Sequence, residues 1–173
     1  MSNYKDLLPK IATFIFDYDG VLTDGSVIML PDGEGLRSGH VKDGYALQLA
    51  IKKGYRVVII SGGRSASMER RMESLHIQNV FLGVNDKLAV FRKFCADNNI
   101  QPENVLYMGD DIPDHKVMLE VGVACCPLDA AQEIKNISHY ISHLPGGRGC
   151  VRDIIEQVMK IHGKWMNGDA YHW

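Results

Sequence analysis

Long apolar runs are missing from this chain. Its mostly apolar stretches, such as Ile11–Phe16 and Val57–Ile60, fall far short of the roughly 20 residues that a membrane-spanning helix needs. The opening segment, Met1–Lys10, mixes Lys5, Asp6, Pro9 and Lys10 and has neither an apolar signal core nor a small-residue cleavage site. A cytoplasmic location is therefore expected. Nor does either charge predominate: 19 Lys and Arg face 21 Asp and Glu, for a net charge of -2. No basic field exists to hold nucleic acid or an anionic membrane surface. Cysteine is scarce. Cys95, Cys125, Cys126 and Cys150 form no C-x-x-C pair, and adjacent cysteines seldom bridge, so four reduced thiols are expected. His139 and His143 stand four apart, but no Glu follows the first, which excludes the H-E-x-x-H zinc pattern. Both tryptophans, Trp165 and Trp173, fall in the last eleven residues.

What is present reads as a globular fold. With 173 residues, 46% apolar and 23% charged, the chain can bury roughly 70% of its unfolded surface in one core. We expect one domain over 1–162 and a tail over 163–173, with no length left for a separate lid domain. Apolar runs alternate with amphipathic stretches. Ile11–Phe16, Tyr55–Ile60, Val80–Leu82, Val105–Met108, Val123–Cys126 and Tyr140–Ile141 read as strands. Tyr45–Lys53, Ser65–Leu75, Lys87–Asn98, Pro113–Glu120, Ala130–Lys135 and Cys150–Ile161 read as helices. Such alternation predicts an α/β fold, a Rossmann-like three-layer sandwich around a central parallel sheet. One segment breaks the rhythm. Val27–Leu30, the turn Pro31-Asp32-Gly33 and Leu36–Val41 predict a β-hairpin flap within 25–41, set where ligands bind in such sheets.

Three strand ends carry the polar chemistry. The first ends in Asp17-Tyr18-Asp19-Gly20-Val21-Leu22-Thr23, the next in Ser61-Gly62-Gly63-Arg64, and a third in Gly109-Asp110-Asp111-Ile112-Pro113-Asp114. All three meet at the carboxyl edge of a parallel sheet. The carboxylates of Asp17, Asp19, Asp110, Asp111 and Asp114 would repel one another there unless a cation sat among them. Oxygen ligands of this kind suit Mg2+, which takes a few carboxylates and keeps waters for a substrate phosphate. A calcium loop starting at Asp17 would need an acid or amide where Val21 stands and a Glu where Ile28 stands. Gly33-Glu34-Gly35 with Gly39 has the wrong spacing for a dinucleotide fingerprint.

These motifs, with Lys87 between them, resemble the four motifs of the haloacid dehalogenase-like hydrolases. Asp24-Gly25, Asp43-Gly44, Arg70-Arg71, Gly83-x-x-x-Lys87 and Gly146-Gly147-Arg148-Gly149 followed by Arg152 point within it to the capless branch of 3-deoxy-D-manno-octulosonate 8-phosphate phosphatases. The match runs from about Ile11 to Gly163. A phosphate monoester needs a nucleophile and a proton for its leaving alkoxide. Asp17 at the strand tip suits the first task and Asp19 the second, and the resemblance implies the same roles. It further implies magnesium held by Asp17, the Asp19 backbone carbonyl and Asp110. Ser61, with Gly62, would bind a phosphoryl oxygen, and Lys87 would neutralise charge on the phosphoryl group and on Asp17. Asp111 and Asp114 would support them, one near the metal and the other orienting Lys87 or a water.

The implied substrate is a small sugar-acid phosphate of the lipopolysaccharide precursor route, whose carboxylate calls for a cation. The family pattern usually reads S/T-G-R after the second strand, whereas here the arginine comes one place later. Arg64, Arg70 and Arg71 are the candidates for that contact, with Asp43 a further substrate-binding candidate. A nine-carbon sialic-type acid 9-phosphate is the alternative substrate, and a non-catalytic assembly module the alternative class. The resemblance also implies a homotetramer whose subunits cover one another's sites. The aromatic tail would then be a lid over its own or a neighbour's site.

Overall fold

Side chains that alternate between two apolar faces build the centre of the molecule. The computed structural model describes residues 3–172. β1 (Thr13–Phe16) is buried at every position, as a strand covered on both faces must be. Phe14 and Phe16 enter one apolar cluster, closed by α1 (Val41–Lys52) and α6 (Cys150–Ile161). Ile15 enters the other, closed by α3 (Lys87–Asp97), α4 (His115–Met118) and α5 (Gln132–Ile137). The same period of two runs through β4 (Arg56–Ile60) and β6 (Val105–Met108): Val57, Ile59, Leu106 and Met108 face the first cluster, and Val58, Ile60, Val105 and Tyr107 the second. Each fully buried Ile or Phe contributes about 1.5–3 kcal/mol of transfer free energy.

The sheet has six strands in the order β5-β4-β1-β6-β7-β8, with β5 (Asn79–Phe81), β7 (Val123–Cys126) and β8 (Tyr140–Ile141). Every pairing in it is parallel. This is a Rossmann-like α/β fold. The chain winds outward from β1 to one edge and then returns to the other. The loops after β1, β4 and β6 therefore converge where the strand order reverses, the place such sheets reserve for ligands. Among the described residues, no helix is long and apolar enough to cross a membrane. All four cysteines are buried free thiols.

Several boundaries differ from the sequence reading. The hairpin is smaller: β2 (Ile28–Met29) pairs antiparallel with β3 (Gly35–Leu36). Its turn is closed by the Leu30 N–H on the Glu34 carbonyl at 2.9 Å. Val41 belongs to α1, which starts four residues before Tyr45. Gly44 hid that turn by breaking the apolar period, and its missing Cβ leaves space for the Arg71 guanidinium. Pro113–Glu120 is not one helix. A 3-10 turn over Ile112–Asp114 precedes the short α4, because the Asp114 carboxylate folds back onto the backbone N–H of Asp110. α5 starts two residues later than expected, after a turn that the Ala130 N–H closes on the Pro127 carbonyl. α2 (Ala66–Ser74) opens on the Ser65 hydroxyl, which accepts from the Met68 N–H.

The tail packs on its own chain. Trp165 lies edge-on to Tyr45 of α1 with ring centroids 6.4 Å apart, and the Arg152 guanidinium sits 5.2 Å from the Trp165 ring. The Tyr45 hydroxyl donates to the Ala170 carbonyl, and Lys53 Nζ to the Asn167 carbonyl. These contacts tie the tail to α1 and α6. Trp173 lies outside the described residues.

Candidate active site

β1 delivers Asp17 to the carboxyl edge at 7% exposure. One of its oxygens, Oδ1, accepts the Tyr18 N–H at 2.6 Å, and Oδ2 lies 2.8 Å from Lys87 Nζ. Lys87 is the first residue of α3, where the helix dipole disfavours a cation. Carboxylates on either side offset that penalty: Nζ also donates to Asp114 Oδ1 at 2.7 Å. Asp114 is fully buried, and the Tyr107 hydroxyl donates to the same Oδ1 at 2.6 Å. Its other oxygen accepts the Asp110 N–H at 3.2 Å. Asp114 thus spends both oxygens on holding the lysine and the loop.

Asp110 completes the cluster. Carboxylate oxygens of Asp17, Asp110 and Asp114 lie within 4.8 Å of one another. Asp110 Oδ1 is buried and has no hydrogen-bond partner, an arrangement that costs free energy unless a cation takes the lone pair. Burial, with the charges of Asp17 and Asp114, pushes the Asp110 carboxyl up to about 8. Burial and the Asp114 charge raise Asp17 likewise, against the opposing pull of Lys87. The donor set is oxygen only, crowded and under-neutralised, which fits a hard divalent cation. Gly20 is required beside it, since its φ is +84° and a Cβ there would collide with the Asp110 carboxylate. Asp111 stays exposed and caps the 3-10 turn through the Ile112 N–H at 2.8 Å.

Asp19 stands apart from this cluster. Both its oxygens are taken by Arg37, the residue after β3, with Nε at 2.6 Å and Nη2 at 3.1 Å. Sequence reasoning missed Arg37, because a lone arginine after a short strand carries no local signal of an 18-residue contact. Ser61 is buried at the end of β4, and its hydroxyl accepts the Gly63 N–H at 3.2 Å. Its backbone N–H and carbonyl are tied to Phe81 and Val84, which fixes the Ser61-Gly62 turn beside β1.

Other expected residues are elsewhere. Asp43 does not face the crevice. It is 1% exposed and accepts the N–H groups of Gly149 at 3.2 Å and Arg152 at 2.7 Å, so it caps the start of α6. Arg64 turns outward to Glu69 at 3.2 Å with its side chain 70% exposed. Arg70 is exposed on α2. Arg71 lies against α1 beside Gly44 and lowers the rise of the Tyr18 hydroxyl that burial causes.

Carboxylates crowded around one buried lysine suit phosphoryl transfer with a divalent cation. On a parallel sheet of this order, that combination defines the haloacid dehalogenase-like class of phosphatases. No protein-family model matches the chain, but individual proteins do. It is 36% identical over 155 residues to the 3-deoxy-D-manno-octulosonate 8-phosphate phosphatase KdsC of Yersinia pestis, covering 90% of this chain and 83% of that one. Identity to KdsC of Escherichia coli K12 is also 36%, over 90% and 82% of the two chains. The crystal structure of the Yersinia pestis enzyme superposes with a TM-score of 0.91 at 34% identity, over 94% and 88% of the chains. That of the Moraxella catarrhalis enzyme, in complex with magnesium, phosphate and KDO, gives 0.89 at 31% identity, over 92% of each chain. The chain belongs to the 3-deoxy-D-manno-octulosonate 8-phosphate phosphatase family.

Proposed function

We propose that this chain is a magnesium-dependent phosphomonoesterase that hydrolyses 3-deoxy-D-manno-octulosonate 8-phosphate to the free sugar acid and phosphate, in lipopolysaccharide precursor synthesis. The observation that carries the reading is Lys87 held between Asp17 and Asp114, beside the unpaired buried oxygen of Asp110. Asp17, Asp110 and the Asp19 backbone carbonyl would hold magnesium, which when bound neutralises phosphoryl oxygens. The Asp17 carboxylate attacks phosphorus. An Asp17–phosphorus bond forms as the bond to the sugar's 8-oxygen breaks, and Asp19 protonates that leaving alkoxide. Asp19 then takes a proton from water, whose oxygen attacks the aspartyl phosphate and releases phosphate and free Asp17. Lys87 neutralises Asp17 and the phosphoryl group, Asp114 orients Lys87, and Ser61 with Gly62 binds a phosphoryl oxygen.

The reading extends to a cytoplasmic homotetramer. The hairpin exposes Ile28 at 67% and Met29 at 68%, with Val27 and Leu36 beside them. An apolar patch of this kind marks an interaction surface, and a capless site needs cover to exclude water.

Phosphate release tests the activity, on the eight-carbon and nine-carbon sugar-acid phosphates and a neutral hexose 6-phosphate, with magnesium or EDTA. We expect magnesium-dependent turnover with the eight-carbon substrate preferred. Preference for the nine-carbon substrate would replace the substrate assignment, and absence of turnover on all three would refute the enzyme reading. Light scattering on the eluting protein tests the tetramer, which a monomer mass would contradict.

A further inference from the structure

Among the described residues, two cations are ion-paired with the carboxylates that the proposed reaction uses. Lys87 belongs to the phosphoryl side. Arg37 is the other, and its position is unusual for a residue of an otherwise exposed flap. Its side chain is 11% exposed. The guanidinium grips both oxygens of Asp19 through Nε and Nη2, and Nη1 donates to the Gly35 carbonyl at 3.0 Å. The flap itself is anchored, since Glu34 Oε1 accepts the Ser67 N–H at the start of α2 at 3.3 Å. Gly63 leaves space for the pair. A Cβ there would stand 2.7 Å from Asp19 Oδ2 and 3.3 Å from Arg37 Nη2.

This arrangement cannot persist through the reaction. Asp19 must turn one oxygen to the leaving oxygen of the substrate, and both are engaged by the fork. When it turns, a guanidinium with little solvent contact loses its charged partner, which is costly unless another anion replaces it. The phosphoryl group lies on the Asp17 side and has Lys87, Ser61 and the metal ligands to receive it. Arg37 pairs with Asp19, the group that protonates the leaving oxygen in the proposed reaction, and so stands on the leaving-group side. A sugar acid carries one negative group besides the phosphate, its carboxylate at the other end of the sugar, and that planar pair of oxygens matches the guanidinium fork. Of the arginines weighed from sequence, Arg64 is paired outward with Glu69 and Arg70 is exposed, while Arg71 lines a small cavity with Tyr18, Gly39 and Gly44.

We propose that Arg37 is a specificity-determining residue that holds Asp19 in the empty site and passes to the substrate carboxylate as the sugar acid docks. This inference rests on the phosphatase reading above. It makes selectivity partly a penalty on wrong substrates: a neutral sugar phosphate brings no anion to replace Asp19, so its reaction leaves Arg37 unpaired.

The test compares kcat/KM of wild type, Arg37→Gln and Arg37→Lys on the eight-carbon sugar-acid 8-phosphate and on a neutral hexose 6-phosphate. The quantity read is the preference for the acid. Loss of a bidentate charged contact should lower that preference about 10- to 100-fold in Arg37→Gln, mainly through KM for the acid. Arg37→Lys keeps the charge but not the fork and should recover part of it. Equal losses on both substrates would make Arg37 a support for Asp19 only, and no loss on either would leave it without a role; each overturns the inference. A wild type with no preference for the acid would sink the functional reading, and this inference with it. A wild type with the preference, retained in Arg37→Gln, would sink the inference alone.

Discussion

Replacing Lys87 with methionine keeps most of the side-chain volume and removes one charge from the most crowded part of the molecule. Lys87 is 5% exposed, with Asp17 at 2.8 Å and Asp114 at 2.7 Å. Removing one member of a buried ion pair leaves the partner charge uncompensated and costs about 3–5 kcal/mol. At 173 residues, where about 1 kcal/mol moves Tm by 2–4 °C, the expected fall is about 6–20 °C. Asp17 and Asp110 are already pushed upward by burial, and they ionise less readily still without the lysine. The loss of stability should therefore grow from pH 5 to pH 8. Adding Asp114→Asn removes one uncompensated charge and should return part of the stability but none of the activity, because the cation facing the phosphoryl group is still missing. Loss of that cation should lower kcat about 100- to 1,000-fold. Thermal melts in EDTA and phosphate-release rates with magnesium measure both. A Lys87→Met protein with wild-type Tm at pH 8, or with more than a tenth of wild-type kcat, would refute the reasoning.

Other outcomes follow from the same geometry. The Asp110 carboxyl is raised from 3.8 to about 8 in the metal-free fold, so the folded state holds its proton more tightly than the unfolded one. That contribution to stability is complete below about pH 4 and is lost as pH rises toward 8. Magnesium should thus raise Tm more at pH 8 than at pH 5, and an equal gain at both would contradict the assignment of the cluster to a cation. Asp43→Ala strips a buried and a half-buried N–H group at the start of α6 of their acceptor and should cost about 2–3 kcal/mol in denaturant unfolding. Its KM should not change, and a raised KM would return Asp43 to the substrate. Trp165→Ala removes the contacts to Tyr45 and Arg152 and should cost about 1–3 kcal/mol with kcat and KM unchanged. Changed kinetics without lost stability would favour a tail that closes a site.

Local regularities were legible in the sequence. The apolar runs at Ile11–Phe16 and Val57–Ile60 have no helical period and fit strands covered on both faces, and the sheet follows from their alternation with helices. The Asp17-x-Asp19-Gly20 turn was legible as a polar motif at a strand end, and the fit of Gly20 beside Asp110 emerges only in the fold. What was missed depends on long-range packing. Asp43 reads as a substrate-binding candidate in a D-G pair, and the partners that make it a helix cap lie 106 and 109 residues away. Tyr107 reads as one more apolar strand residue, yet its hydroxyl holds Asp114. Arg37 has no periodic or motif context, while Arg64 stood in a motif and drew attention to itself. Hairpin arms of two residues each are too short for period-two alternation to fix their ends.

Covalent capture at Asp17 bears most directly on the central claim. Wild-type protein, given magnesium and the eight-carbon sugar-acid 8-phosphate and quenched in acid during turnover, should carry a phosphoryl group on the peptide containing Asp17, as read by mass spectrometry. Asp17→Asn treated identically should carry none and should release no phosphate. A phosphoryl group mapped to another residue, or phosphate release at the wild-type rate by Asp17→Asn, would contradict the account.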